Sequence, residues 1–79
     1  MVVKLADTPL GTHLRVVGYR NSTSYTLRLQ SLGLVPGTQL QLIRRAPLGD
    51  PIEIRLRGYS LALRPSEADD LELQVIDSV

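Results

Sequence analysis

A chain of 79 residues without cysteine can support its small core neither with disulfides nor with thiolate-bound metal. Phe and Trp are also absent, so the core must be aliphatic and must draw chiefly on the 15 leucines. A hydrophobic fraction of 43% and a charged fraction of 22% argue against a disordered chain. We expect one domain over residues 1–79.

The net charge of +1 is unevenly distributed. Residues 1–64 contain all nine basic residues and three acidic ones, whereas residues 65–79 contain five acidic residues and no basic one. This pattern is typical of the solvated faces of one fold, although it also fits a basic surface that meets an acidic partner. The N-terminus lacks the apolar run of a signal peptide, and no stretch is long enough to span a membrane. We therefore expect a cytoplasmic protein that does not insert into a membrane.

The first predicted elements are a strand and a short helix. His13–Tyr19 has the pattern of a strand, with Leu14 and Val16 on one face. The polar residues 21–24 offer several helix N-caps, and the spacing predicts a helix over Ser24–Leu32. The apolar stripe of this helix consists of Tyr25, Leu29 and Leu32.

Turn residues then separate the helix from a pair of strands. Gly33 suits a left-handed C-terminal cap, and Pro36–Gly37 suits a type II turn, because proline fixes φ and glycine accepts a positive φ. Gln39–Arg45 and Ile52–Leu56 both alternate between apolar and polar residues. The loop Pro47–Pro51 cannot continue a ladder, since proline has no N–H to donate, so we expect a hairpin.

The C-terminal part predicts two more strands. Arg57–Gly58 is a second turn, and Tyr59–Leu63 is the strand that follows it. Pro65 suits the first turn of a helix, which we place at Ser66–Asp69. The last strand occupies residues 71–76, and one of its faces carries Leu71, Leu73 and Val75.

These elements predict a mostly β fold of five short strands, with one helix between the first two strands. A small sheet exposes its edges unless it closes or covers them, so a partly open barrel is expected. The strand count and the short connections fit a five- to six-stranded SH3-like barrel.

The sequence offers little for catalysis or for a resident metal. His13 is the only histidine, so a hydroxyl nucleophile would lack the usual base oriented by a third group. No Gly-rich phosphate-binding pattern occurs, and scattered carboxylates give no metal-ligand spacing. We expect neither an enzyme nor a cofactor. His13 is assigned to the surface of its strand, where it would hold a metal only adventitiously.

Basic residues near the central strands favour an alternative, a small barrel that binds nucleic acid. These residues are Arg44, Arg45, Arg55, Arg57 and Arg64. Such a barrel also needs aromatic side chains on which bases stack. Tyr25 and Tyr59 lie on apolar stripes and are expected in the core, and a pI of about 8.2 is low for a nucleic-acid-binding domain. No nucleic-acid partner is therefore expected.

Three segments stand in register along nearly the whole chain. Residues 28–37 have the pattern RLxxLGLxPG, Arg45–Ile52 follows, and Gly58–Tyr59 precedes residues 61–64 and 67–68. Together they resemble the FeoA family, the small cytosolic ferrous iron transport protein A. Pro65 and Ser66 depart from the family, in which charged residues are common at that place.

The resemblance implies an SH3-like barrel that acts beside FeoB, the membrane ferrous iron transporter with a cytoplasmic G domain. It implies a non-enzymatic adaptor that binds and modulates FeoB, and a direct transition-metal-binding regulator that uses His13 is a further alternative. Leu48 is the main contact candidate, because a leucine at the tip of a proline-stiffened hairpin has little of its own domain to pack against. Either it folds back over the end of the barrel or it contacts a partner, and a rigid loop loses less entropy on binding. The predicted partner-binding residues are Arg44, Arg45, Pro47, Leu48 and Asp50.

Overall fold

Six antiparallel strands form one sheet in the computed structural model, which describes residues 1–66 and 68–76. A helix, α1, connects the second and third strands, and a 3-10 helix follows the first. The elements are β1 (Val2–Val3), the 3-10 helix (Leu5–Asp7), β2 (His13–Tyr19), α1 (Ser24–Ser31), β3 (Gln39–Arg45), β4 (Ile52–Leu56), β5 (Tyr59–Leu63) and β6 (Leu71–Ile76). The strand order is β1-β6-β2-β3-β4-β5, so the sheet is open and β1 and β5 are its edges. The mostly β architecture is confirmed, while the word barrel describes it only loosely.

The bounds of the five predicted strands agree with those observed for β2 to β6. The prediction missed β1, which pairs Val2 with Gln74 and Val3 with Leu73. A strand of two residues is too short to display an alternating pattern. It therefore exists only through its pairing with β6.

The core lies on one face of the sheet, beneath α1 and the loops. Each fully buried Leu or Ile contributes about 1.5–3 kcal/mol relative to an exposed one. The buried hydrophobic residues are Leu5, Leu14, Val16, Leu29, Leu34, Leu40, Leu42, Ile52, Ile54, Leu56, Leu63, Ala68, Leu71 and Leu73.

Two side chains on predicted apolar faces lie largely outside this core. Tyr59 was expected to be buried but is 41% exposed, because it begins the edge strand β5 directly after a turn. Val75 is 54% exposed. Although its Cα partner is the buried Leu14, Val75 lines a shallow crevice with Val2 and Pro9 at the β1 edge of the sheet.

Helix α1 begins with a reciprocal cap at Thr23. The Thr23 hydroxyl accepts from the backbone N–H of Thr26 at 3.1 Å, and the Thr26 hydroxyl accepts from the backbone N–H of Thr23 at 2.8 Å. Thr26 is fully buried, a position that the apolar pattern did not predict. The predicted stripe is wrong at Leu32, which is the C-cap residue and is 37% exposed.

The C-terminal end of α1 is closed as predicted. Gly33 has a φ of +108°, its N–H donates to the Gln30 carbonyl at 3.0 Å, and the Leu34 N–H donates to the Leu29 carbonyl at 3.1 Å. These two bonds define a Schellman cap, and both Leu29 and Leu34 are buried in the core. The cap therefore joins the helix end to the core.

Two further predicted turns, at Pro36–Gly37 and before β6, are also observed. The Thr38 N–H donates to the Val35 carbonyl at 3.0 Å, and Gly37 has a φ of +93°, as a type II turn requires. Before β6, the Ala68 N–H donates to the Arg64 carbonyl at 3.0 Å, as in one helical turn. The predicted turn at Ser66–Asp69 includes Glu67, which lies outside the described residues. In the described part of the chain no helix has the length and apolar character needed to span a bilayer.

Candidate functional site

The loop between β3 and β4 is a tight, hydrogen-bonded turn. The Ala46 N–H donates to the Pro51 carbonyl at 3.0 Å, and the Gly49 N–H donates to the Ala46 carbonyl at 2.7 Å. Leu48 lies between these bonds with 96% of its surface exposed. Of the two alternatives for Leu48, the structure therefore has the exposed leucine and not one folded back over the end of the sheet. We call residues 46–51 the hairpin loop.

The other predicted contact residues differ in their availability. Pro47 and Asp50 are exposed on the hairpin loop. The Arg44 side chain is 76% exposed and lies 3.8 Å from the Glu53 carboxylate, a long surface ion pair. The Arg45 guanidinium instead donates to the Thr8 carbonyl at 2.9 Å and so holds the segment before β2. Arg44 is therefore more accessible to a partner than Arg45.

The arginines that were predicted near the central strands do not form one basic patch. Arg44 and Arg45 belong to the end of β3 beside the hairpin loop. Arg55 and Arg57 line an open groove on the solvent side of the sheet. Arg64 lies beside α1, at the end of β5. A continuous basic stripe along the sheet, as a nucleic-acid groove requires, is not formed by this set.

The solvent side of the sheet carries a groove of about 360 Å³ between β2, β3 and β4. His13 stands opposite Gln41, and Gln41 stands opposite Arg55. His13 is half-buried on this surface, in agreement with the strand-surface assignment. Within residues 1–66 and 68–76, no three His, Asp or Glu side chains are grouped so as to hold a metal ion.

A second groove, of about 500 Å³, separates α1 from the edge strand β5. Tyr25, Leu32 and Leu61 supply apolar surface to it, and Arg28 and Arg64 lie along it. The Tyr59 hydroxyl donates to the Leu32 carbonyl and so links β5 to the end of the helix. This groove was not predicted from the sequence. Assigning Tyr59–Leu63 to the edge of the sheet would have indicated a surface here, because an edge strand has unpaired backbone groups that another element or a partner can cover.

Tyr19 connects β2 to the segment after the helix. Its hydroxyl donates to the Leu34 carbonyl at 2.6 Å. Burial raises the pKa of Tyr19 to about 12, because the charged phenolate would lose solvation. The neutral hydroxyl is the form that this hydrogen bond requires, so Tyr19 has a structural role.

Acidic residues before β6 pair with basic residues near the start of the chain and after β2. Asp69 lies 3.2 Å from the Lys4 ammonium and 3.4 Å from the Arg20 guanidinium. Asp70 lies 3.4 Å from Arg20 and accepts from the Asn21 side-chain amide at 3.0 Å. Part of the uneven charge in the sequence is thus neutralised within the fold.

Comparison with known proteins identifies relatives along nearly the whole chain. The family model for the FeoA domain matches residues 3–75. An Fe(2+) transport protein A/Fe(2+) transporter FeoB fusion protein from Porphyromonas gingivalis is 26% identical over 76 residues, which represent 96% of this chain and 9% of that protein. This chain therefore corresponds to a small part of the fusion protein.

Solved structures of similar proteins share the fold. An NMR structure of a FeoA-like protein from Clostridium acetobutylicum is 35% identical, with a TM-score of 0.87 over 99% of this chain and 91% of that chain. A crystal structure of FeoA from Stenotrophomonas maltophilia in complex with zinc, described as a prokaryotic SH3 domain protein, is 27% identical. Its TM-score is 0.77, over 94% of this chain and 89% of that chain. The predicted SH3-like fold is confirmed by these similarities.

Proposed function

Because this chain belongs to the FeoA domain family, we propose that it is a cytoplasmic, non-enzymatic accessory protein of ferrous iron transport that binds FeoB. The observation that supports this most is the Porphyromonas gingivalis protein, in which a segment similar to 96% of this chain is fused to FeoB. Fusion keeps two partners at a high effective concentration, which favours pairs that act in contact. Where the two partners are separate chains, the same contact relies on affinity alone.

We assign the contact to the hairpin loop and the adjoining end of β3. The loop is already ordered by its two hydrogen bonds, so little conformational entropy remains to be lost on binding. Leu48, 96% exposed, supplies apolar area that a partner can bury. Arg44, Arg45, Pro47 and Asp50 surround it and supply polar contacts, with Arg45 the least accessible of them.

The size of the Leu48 contribution follows from its exposure. Complete burial of a leucine side chain is worth about 1.5–3 kcal/mol, which corresponds to at least about a tenfold change in affinity. Since Leu48 contacts little in the free protein, Leu48→Ala should leave the free chain folded. A loss of affinity in this variant then reports on the interface alone.

The test is isothermal titration calorimetry of full-length FeoB, in detergent micelles, with the wild-type chain and two variants. Leu48→Ala is expected to weaken binding about tenfold or more. Leu27→Ala is the matched control, because Leu27 is also an exposed leucine, at 56%, but lies on α1. If Leu48→Ala and the wild-type chain bound FeoB with equal affinity, the contact would have to lie outside the hairpin loop. Absence of binding by the wild-type chain would overturn the proposed function itself.

A further inference from the structure

The solvent side of the sheet has a cluster of arginines that the proposed FeoB contact does not use. Arg15 on β2, Arg55 on β4 and Arg57 in the turn after β4 lie around the polar side chains of β3. We call Arg15, Arg55 and Arg57, with Gln39 and Gln41 between them, the arginine face. We propose that the arginine face binds an extended acidic polypeptide segment.

The strand register defines how these side chains are arranged. Arg15 stands opposite Gln39, and Gln41 stands opposite Arg55. Because directly paired residues of antiparallel strands share a face, these four side chains lie on the same side of the sheet. Arg57 follows Arg55 by two residues and lines the same groove as Gln39 and Gln41. The glutamines of β3 therefore lie between arginines of β2 and β4.

The charges on this face are not neutralised within the described part of the chain. The Arg15 guanidinium donates to the Gln74 side-chain oxygen at 3.1 Å, and that of Arg57 lies 3.4 Å from the Thr38 hydroxyl. Both partners are neutral. The ion pairs between described residues involve instead Lys4, Arg20 and Arg44. Three guanidinium groups on one surface thus produce a positive potential, which a negatively charged partner complements.

The chemistry of the face favours carboxylates carried by a polypeptide. Guanidinium groups bind carboxylates through paired hydrogen bonds, and glutamine amides can both donate to and accept from a peptide backbone. None of the residues that line this groove is Phe, Tyr or Trp, and His13 is the one residue among them with a ring, so the groove offers little of the stacking surface that single-stranded nucleic acid uses. An acidic peptide therefore fits the face better than a nucleic acid does.

Strand spacing sets the pattern of acidic residues that would fit. Arginines on β2 and β4 are separated by one intervening strand, a distance of about 10 Å between strand axes. An extended segment in the polyproline II conformation has three residues per turn and advances about 3.1 Å per residue, so carboxylates three residues apart lie on the same side and are about 9 Å apart. A segment that crosses the strands with an acidic residue at every third position places its carboxylates over Arg15 and over Arg55.

The test is an NMR titration of the labelled chain at low salt with a peptide that repeats Glu-Thr-Thr. We expect amide shifts at Gln39, Gln41 and Arg55 and no comparable shifts from a peptide that repeats Lys-Thr-Thr. Arg55→Gln should weaken binding up to about fivefold, the value of one exposed ion pair, and the combined substitution of Arg15, Arg55 and Arg57 by Gln should abolish it. Arg28→Gln on α1 is the control of equal charge and should bind like the wild type.

The outcomes separate this proposal from its alternatives. Unchanged affinity of the triple variant, verified as folded by circular dichroism, would overturn the proposal, as would shifts confined to the hairpin loop. Tighter binding of oligothymidylate than of the acidic peptide would identify a nucleic-acid surface instead. The peptide titration does not involve FeoB, and the FeoB titration relies on Leu48, so each proposal can fail without the other.

Discussion

Replacement of Gly33 by alanine tests how closely the helix end and the β4–β5 hairpin are coupled. Gly33 has a φ of +108°, a region that costs a residue with a Cβ about 1–2 kcal/mol. The added Cβ would lie 2.7 Å from the Tyr59 hydroxyl oxygen and 3.6 Å from a Leu56 methyl carbon. The first distance is too short, so the Tyr59 side chain must move away from the Leu32 carbonyl. The lost hydrogen bond costs about 0.5–1.5 kcal/mol more. We expect Gly33→Ala to lower the free energy of unfolding by about 2–3 kcal/mol.

Gly37 offers a matched control for the backbone contribution. Its φ is +93°, but an added Cβ would meet no atom within 4 Å. Gly37→Ala should therefore cost only the conformational part, about 1–2 kcal/mol. The free energies of unfolding are measured by urea denaturation followed by circular dichroism.

A double-mutant cycle isolates the contact with Tyr59. In a Tyr59→Phe background the hydroxyl is absent, so Gly33→Ala should cost about the same as Gly37→Ala does. Identical costs of Gly33→Ala in the wild-type and Tyr59→Phe backgrounds would refute the steric argument. They would show that the helix end is not constrained by the edge strand.

Three further outcomes are expected from the same denaturation assay. Thr23→Ala removes the acceptor for the Thr26 N–H and should cost about 0.5–2 kcal/mol, whereas Thr23→Ser should retain most of the stability. Leu34→Ala, in the core, should lower the free energy of unfolding by about 2–5 kcal/mol, whereas Leu48→Ala should lower it by no more than about 0.5 kcal/mol. Equal decreases in the two variants would contradict the burial of Leu34 and the exposure of Leu48. The pKa of Tyr19 is raised to about 12, above the ordinary value of about 10, so its stabilising effect is fully present below pH 10 and is lost as the pH rises towards 12. Tyr19→Phe should lack this part of the pH dependence, and an unchanged profile would contradict the role of burial.

The strands were predictable because alternation and turn residues agreed along most of the chain. Apolar and polar residues alternate strictly in Ile52–Leu56, and turns that contain proline or glycine separate this strand from β3 and β5. Both the bounds of the strand and its buried face were therefore predicted correctly. The Gly33 cap was predictable for a similar reason, since a single residue type suits that backbone conformation. Features of this kind can be predicted from the sequence because they depend only on residues close to one another along the chain.

Other features depend on contacts that are distant in sequence. Val2–Val3 becomes a strand only beside β6, and Thr26 is buried because its hydroxyl is used in the Thr23 cap. Tyr59 follows the period of an apolar face but stands at an edge, where period alone does not determine burial.

The candidate surfaces were predictable only in part. The exposure of Leu48 followed from the proline-containing loop, which is a local property. The assignment of arginines to shared or separate surfaces required the strand register, which brings Arg15 and Arg55, far apart in sequence, onto one face. A sequence pattern shows that a strand is basic, whereas the pairing of strands determines which charges share a face.

The most direct measurement of the central proposal is an NMR titration of the labelled chain with the cytoplasmic part of FeoB. We expect saturable shifts concentrated at Leu48, Gly49 and Asp50 and weaker effects at Arg44. Leu48→Ala should remove most of them without changing the spectrum of the free protein elsewhere. Absence of shifts, or shifts restricted to the groove between α1 and β5, would contradict a FeoB contact at the hairpin loop.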